Sequence, residues 1–267
     1  MEDLTSPPLR RRRRFAGLVT SALLLSALVS APARAQGSPA TPSCAIDAVD
    51  VFPASGSRVP TNARFIVEGF GPRAGQLRRL IGKTLTLSSG SKKASVAVKS
   101  AFSAGDDRIA VELVPRQPLE PGMEWTLDLG QVLPLVKSRS GGDASVLTWT
   151  TGRGLDRASP VLRRIPAVEQ GQLSKEGERQ VVFRVDAVDD GPVLLVGKLR
   201  QARGGPTRRY FVPVRGGRAV VGDEACGGWG LERGRAYRMI FQAVDVAGQT
   251  SPEAEEIEFN APRGGNE

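Results

Sequence analysis

The sequence predicts an all-β protein, two tandem β-sandwiches behind an N-terminal targeting segment. Three observations carry that expectation. Leu119-Glu-Pro-Gly-Met-Glu-Trp125 and Leu231-Glu-Arg-Gly-Arg-Ala-Tyr237 both read Leu-Glu-x-Gly-x-x-aromatic, 112 residues apart. Phe52-Pro53-Ala54 and Ile165-Pro166-Ala167 repeat at an offset of 113 residues. Two landmarks at nearly one offset indicate two copies of one module. Third, short runs of alternating apolar and polar residues recur between turn signals, and 31 glycines and 19 prolines are spread along the chain. Each copy of the first landmark leads into such a run, so it reads as a turn feeding a strand at a sandwich corner.

The 267 residues suffice for two domains that each bury a core. Residues 1–35 read as a signal peptide: a basic Arg10–Arg14, an apolar Phe15–Val29, and the small-x-small site Ala33-Arg34-Ala35. An uncleaved anchor is the rival, although the apolar stretch is short of the roughly 20 residues a spanning helix needs. Arg12-Arg13-Arg14-Phe15 also fits a loose twin-arginine pattern, which a run of five arginines matches by accident. No lipobox precedes Cys44.

Residues 36–44 form a Ser/Pro/Gly/Ala lead. In the first domain, 45–152, strands are expected at 45–51 and 63–70, with turn chemistry between them at 54–62. Residues 71–82 suit a short helix or crossover, with Leu77, Leu80 and Ile81 at helical spacing. Residues 83–87 and 94–99 read as a hairpin around a Ser/Gly turn. Strands at 109–114, 125–129 and 145–150 complete the domain. Residues 153–158 have linker composition. The second domain, 159–261, has candidate strands at 160–165, 180–188, 192–201, 208–214, 235–244 and 254–259, and 262–267 is a tail. Packed sheets are the expected architecture, and one large barrel the alternative.

The formal charge is +9. Taking Arg10–Arg14, Arg34, Glu2 and Asp3 from the 37 basic and 28 acidic residues leaves a mature charge of about +5. The basic pairs Arg78-Arg79, Lys92-Lys93, Arg163-Arg164 and Arg208-Arg209 are scattered, as in a mixed solvated surface. A face for anionic polysaccharide or lipid headgroups is the sharper reading. Nucleic acid is disfavoured, because export removes it and no stacking aromatics accompany the arginines. Cys44 and Cys226 read as one disulfide in an oxidising compartment. Free thiols or an intermolecular bridge are the alternatives. A bridge would require the two domains to fold back beside one another.

Val51-Phe-Pro-Ala-Ser-Gly56, Val59-Pro-Thr-Asn62, Pro118 to Trp125 and Trp149-Thr-Thr-Gly152 resemble the bacterial Ig-like domain of S-layer and other exported proteins. Asp245-Val-Ala-Gly-Gln-Thr-Ser251 is similar to the Asp-x-Ala-Gly-Asn-x-Ser ending of bacterial Ig- or fibronectin-like modules, with Gln249 in place of Asn. These turn signatures imply fold and surface exposure, and no catalytic residue.

The chain has no histidine, which removes Ser-His-Asp and Cys-His systems and histidine metal sites. Ser89-Gly-Ser-Lys92 matches Ser-x-x-Lys, but on a hairpin turn rather than a helix. Gly82-Lys83-Thr84 resembles the end of a P-loop that lacks its first glycine. Asp186, Asp189, Asp190 and Asp245 could gather as calcium ligands, but the Asp-x-Asp-x-Asp-Gly spacing is missing and they read as solvated turn acids. No metal and no cofactor are expected. Trp125 and Tyr237 read as buried corner anchors. Trp229, on the loop Gly227-Gly228-Trp229-Gly230, is a possible ligand contact, with covered packing as its alternative.

The expected function is therefore an exported, non-enzymatic structural or binding module of the cell envelope, in the periplasm, at the surface or outside. Its expected partner is an envelope protein or polysaccharide. A small carbohydrate-active enzyme with paired carboxylates is the alternative, and an assembly factor lending an edge strand a third reading. Intact mass of the exported chain is expected to place the mature N-terminus at Gln36; an anchor would leave all 35 leading residues in place.

Overall fold

The computed structural model describes Cys44 and residues 46–264, except 104–105, 135, 140, 175–176, 223–225, 227 and 229. The signal segment and Trp229 lie outside the described residues. Alternation in the first half becomes β1 (Ala48–Phe52), β2 (Arg58–Val59) and β3 (Phe65–Phe70). Helix α1 (Pro72–Arg78) follows, then β4 (Thr84–Ser89), β5 (Lys92–Ser103), β6 (Arg108–Pro115), β7 (Glu124–Asp128) and β8 (Val146–Thr151). They form one sheet in the order β1-β3-β6-β5-β4-β7-β8-β2. β5 is 12 residues long, so its first half pairs with β4 and its second with β6. The sheet folds over along β5, and side chains from both limbs meet in one core. Phe65 of β3 lies 4.1 Å from Trp149 of β8, ring centre to ring centre. The limbs reproduce the ABED and CFG sheets of an immunoglobulin sandwich, with β2 running parallel to β8.

Helix α1 is the crossover expected at 71–82. Proline opens it, where the missing N–H has no helical partner to lose. Leu77 and Leu80 are buried, whereas Ile81 is exposed. Gly71 must lack a side chain: its φ is +55°, and a Cβ would lie 2.1 Å from the Ile46 carbonyl oxygen. The chain leaving Cys44 passes there against the first sandwich.

The second half forms β9 (Val161–Leu162), β10 (Ala167–Leu173), β11 (Arg179–Arg184), β12 (Ala187–Val188) and β13 (Leu194–Gln201). It continues with β14 (Arg208–Pro213), β15 (Arg218–Val221), β16 (Ala236–Val244) and β17 (Ile257–Asn260). A three-stranded sheet β10-β11-β15 faces a four-stranded sheet β14-β13-β16-β17, and β9 pairs with β12. β16 alternates strictly between buried and half-buried residues, which places Tyr237, Met239, Phe241 and Ala243 in the second core. Phe183 meets Phe241 and Phe259 edge-on across that core, at 5.1 and 5.3 Å.

The repeated corner has one construction in both halves. Gly122 and Gly234 adopt φ of +72° and +64°, which the turn requires. The aromatic three residues later is buried and reaches back to its own corner. Trp125 Nε1 donates to the Glu120 carbonyl at 3.5 Å, and Tyr237 Oη accepts the Glu232 N–H at 2.8 Å. The second is a tyrosine corner.

The second landmark behaves differently. Pro53 ends β1, whereas Pro166 precedes β10. The halves also differ in topology. β5 joins β6, but among the described residues the six-residue β14 pairs only with β13. Strand length decides this, because only a long bent strand can serve both limbs. The sequence reading also missed β2, β10 and β15. Two of these are short, and β10 (Ala-Val-Glu-Gln-Gly-Gln-Leu) carries too few apolar residues to show alternation.

Cys44 and Cys226 form a disulfide across 182 residues, with Cα atoms 4.9 Å apart, and the two sandwiches lie side by side, with Phe102 packed on β14 and Val246 in the first core. Among the described residues no helix is long and apolar enough to cross a membrane. In the chain-entropy account a loop of this length contributes about 5 kcal/mol. Cys44→Ser is expected to lower the free energy of urea unfolding by up to about that amount, and reductant should do the same to the wild-type chain and nothing to the variant.

Candidate functional site

Aromatic and charged residues of both sandwiches meet along one seam. Phe102, at the end of β5, packs on Tyr210 and Phe211 of β14 at 5.8 and 5.2 Å. In return Val246, in the turn after β16, is buried in the first core, and its carbonyl accepts the Arg64 N–H at 2.7 Å. Beside Tyr210 lies a buried ion pair. Arg108 Nε of β6 donates to Glu68 Oε1 of β3 at 2.5 Å, with 4% and 10% of these side chains exposed. The same guanidinium stands over the rings of Phe70 and Tyr210, at 5.0 and 5.5 Å. Arg139 covers Phe70 at 4.8 Å. Burial pushes the Glu68 carboxyl above the usual carboxylate range, and Arg108 opposes that shift.

A groove of about 590 Å³ opens beside this pair. Phe52 and Ile66 of the first sandwich line it with Val193 and Phe211 of the second, and Asp50 and Arg215 stand beside them. It has the composition of a binding cleft, an apolar floor with a few charged groups. On the four-stranded sheet three of the basic residues are paired: Arg200 with Glu256 at 2.7 Å, Arg238 with Glu258 at 3.1 Å, and Lys198 with Glu253. This is the interspersed charge expected of a solvated face.

A second constellation gathers three acids from distant segments. Asp156 lies between the sandwiches, Asp189 follows β12, and Asp245 follows β16. One carboxylate oxygen from each lies within 4.8 Å of the others. Each acid is held by its own turn. Asp156 Oδ1 accepts the Ala158 N–H at 3.0 Å, Asp189 Oδ2 that of Gly191 at 3.1 Å, and Asp245 Oδ1 that of Gln249 at 2.7 Å. Asn62 of the first sandwich exchanges two hydrogen bonds with the Asp156 backbone, at 2.8 and 2.9 Å. Asp245 is only 3% exposed. Burial foremost, and the charges of Asp156 and Asp189, push its carboxyl up to about 6. Burial and the same kind of repulsion raise Asp189 as well. Two unit charges at this separation repel by roughly 3 kcal/mol at an effective dielectric constant of about 20.

Of the acids singled out in the sequence, Asp189 and Asp245 meet, while Asp186 and Asp190 are not in the cluster. Asp156 was missed. It sits in a segment of linker composition, and only folding brings it to the other two. Ser89 and Lys92 are the paired ends of the β4–β5 hairpin, and Lys92 bonds Glu120, so Ser-x-x-Lys stands on a turn as read. The Asp245–Ser251 signature closes the turn after β16. Asp245 binds the Gln249 backbone in both directions, and Ser251 Oγ accepts the Ala243 N–H at 2.9 Å.

No protein-family model matches the chain, and no curated protein matches it either. Among solved structures it is similar to the chicken CNTN1 FN1-FN3 domains, at 11% identity over 81% of this chain and 65% of that one, with a TM-score of 0.29. A cytokine receptor complex matches at 13% identity over 79% and 94%, TM-score 0.27. A structure titled "Myokine structure" matches at 18% identity over 40% and 100%, TM-score 0.26. Likenesses at these TM-scores add nothing to the architecture, which rests on the strand order.

Arg108→Met leaves the buried Glu68 without its cation and is expected to cost about 3–5 kcal/mol in urea unfolding. Glu68→Leu combined with Arg108→Met should recover most of that loss, because neither position then leaves a buried charge unpaired.

Proposed function

We propose that this chain is an exported, non-enzymatic Ig-like module of the cell envelope that binds an envelope partner in the groove between its sandwiches. Its first Ig-like domain spans 45–152 and is of the bacterial S-layer-associated kind, and its second spans 159–261. The groove carries it. Both sandwiches contribute its walls, so its shape depends on their being held side by side. The Cys44–Cys226 bridge supports an oxidising compartment, since such bonds persist outside the cytosol. It also supports rigidity, because a fixed groove spends less of its binding free energy on ordering.

The lining favours a protein segment over an anionic polysaccharide. Phe52, Ile66, Val193 and Phe211 offer apolar contact, whereas a polyanion site would need a row of unpaired cations. The paired-carboxylate enzyme has less support. Glu68 on the groove wall is committed to Arg108, and a glycosidase needs one acid free to protonate and another to attack or activate water.

The test is capture from solubilised envelope fractions by the immobilised chain and by Ile66→Lys, a half-buried groove position on β3. A protein retained by the wild type and lost with the variant, at unchanged melting temperature, is the expected result. Equal retention by both, or turnover of glycoside substrates by the purified chain, would overturn the proposal.

A further inference from the structure

We propose that Asp156, Asp189 and Asp245 form a calcium site at the joint between the two sandwiches. Three acids close together do not by themselves make a site. The second observation is what their turns leave over. Asp245 is 3% exposed, and one of its oxygens is satisfied by the Gln249 N–H. The other, Oδ2, is buried and has no hydrogen-bond partner, on a carboxyl that stands with Asp156 and Asp189. Asp189 repeats this arrangement: Oδ2 is held by Gly191, and Oδ1 is buried and unpartnered. Buried carboxylate oxygens without a donor are rare, because desolvation is then uncompensated. Two in one cluster, beside a third acid, are what a bound cation would satisfy.

Residue chemistry selects the ion. The chain has no histidine, and both cysteines are in the disulfide. The donors are therefore all oxygen, which suits a hard cation. Calcium accepts carboxylates in one- or two-oxygen modes with irregular geometry and fills its shell of six to eight with carbonyls and water. Magnesium demands a near-regular octahedron and sheds water reluctantly. Three carboxylates fixed by three separate backbone turns fit the more tolerant ion. The location gives the ion a structural role. Asp156 belongs to the connecting segment and is clamped by Asn62, while Asp189 and Asp245 belong to the second sandwich. The ion would tie that segment to the second sandwich, one residue from the Val246 that enters the first core. This inference stands apart from the groove and does not rest on its partner.

The experiment is calorimetric titration of the purified, EDTA-treated chain with calcium chloride, paired with thermal unfolding. One saturable site is expected, weak to moderate in affinity as in extracellular calcium modules. Melting should rise by roughly 5 °C at a calcium concentration about 100-fold above Kd. Asp245→Asn should abolish the heat and the shift while raising the melting temperature without calcium, since it relieves repulsion. Asp190→Asn, one residue from Asp189 and outside the cluster, should bind as the wild type does. Absence of binding at 10-fold the protein's own concentration and up to about 10 mM calcium, binding unaltered by Asp245→Asn, or a response to magnesium alone would each overturn it.

Discussion

The structure depends on a reciprocal exchange of apolar side chains. Phe102 leaves the first sandwich to pack against Tyr210 of the second core, and Val246 leaves the second to become part of the first core. Neither contact can form unless the sandwiches lie side by side, and once formed neither can be lost without opening a core. The charged pair Arg108–Glu68 sits at the same seam. Buried ion pairs add little net stability, but this one admits a single arrangement, because Arg108 must reach Glu68 and the faces of Phe70 and Tyr210 together. Packing supplies the attraction, and the ion pair restricts the geometry.

Three other constraints converge on the same placement. The disulfide joins the start of the first sandwich to the loop before the second corner. Gly71 lets the chain beside Cys44 pass close to the first sandwich. Asn62 holds the connecting segment through the Asp156 backbone. Each constraint couples points far apart in sequence, so the joint behaves as part of the fold rather than as a linker. That explains why groove and acid cluster both occur there. A groove walled by two bodies keeps its shape only if they are fixed, and three carboxylates face one another only where several segments are held together.

The corner was legible because it is local. A glycine at positive φ and an aromatic three residues later form a turn that closes on itself, so seven residues state it twice. The helix at 72–78 was legible from the spacing of Leu77 and Leu80 in an otherwise strand-patterned chain. The difference between the sandwiches was not. That β5 reaches from β4 across to β6 while β14 stays with β13 depends on the length of β5 and its bulge near Ser100, which alternation does not report. The Asp cluster was half legible. Asp189 and Asp245 stand out as turn acids, but Asp156 lies in a segment of linker composition. Proximity among residues 156, 189 and 245 is a property of the folded chain, not of any window along it.

By itself the sequence determined the class of structure: all-β, two sandwich units with corners at 119–125 and 231–237, and two cysteines available to bridge. These follow from periodicity, turn chemistry and composition, which act over a few residues. Only the tertiary structure decided that the units interlock, that Glu68 meets Arg108, that the β16 turn enters the first core, and that three acids share one buried place. Those outcomes come from long-range packing, where the partner of each side chain is chosen by the shape of the whole and not by its neighbours in the chain.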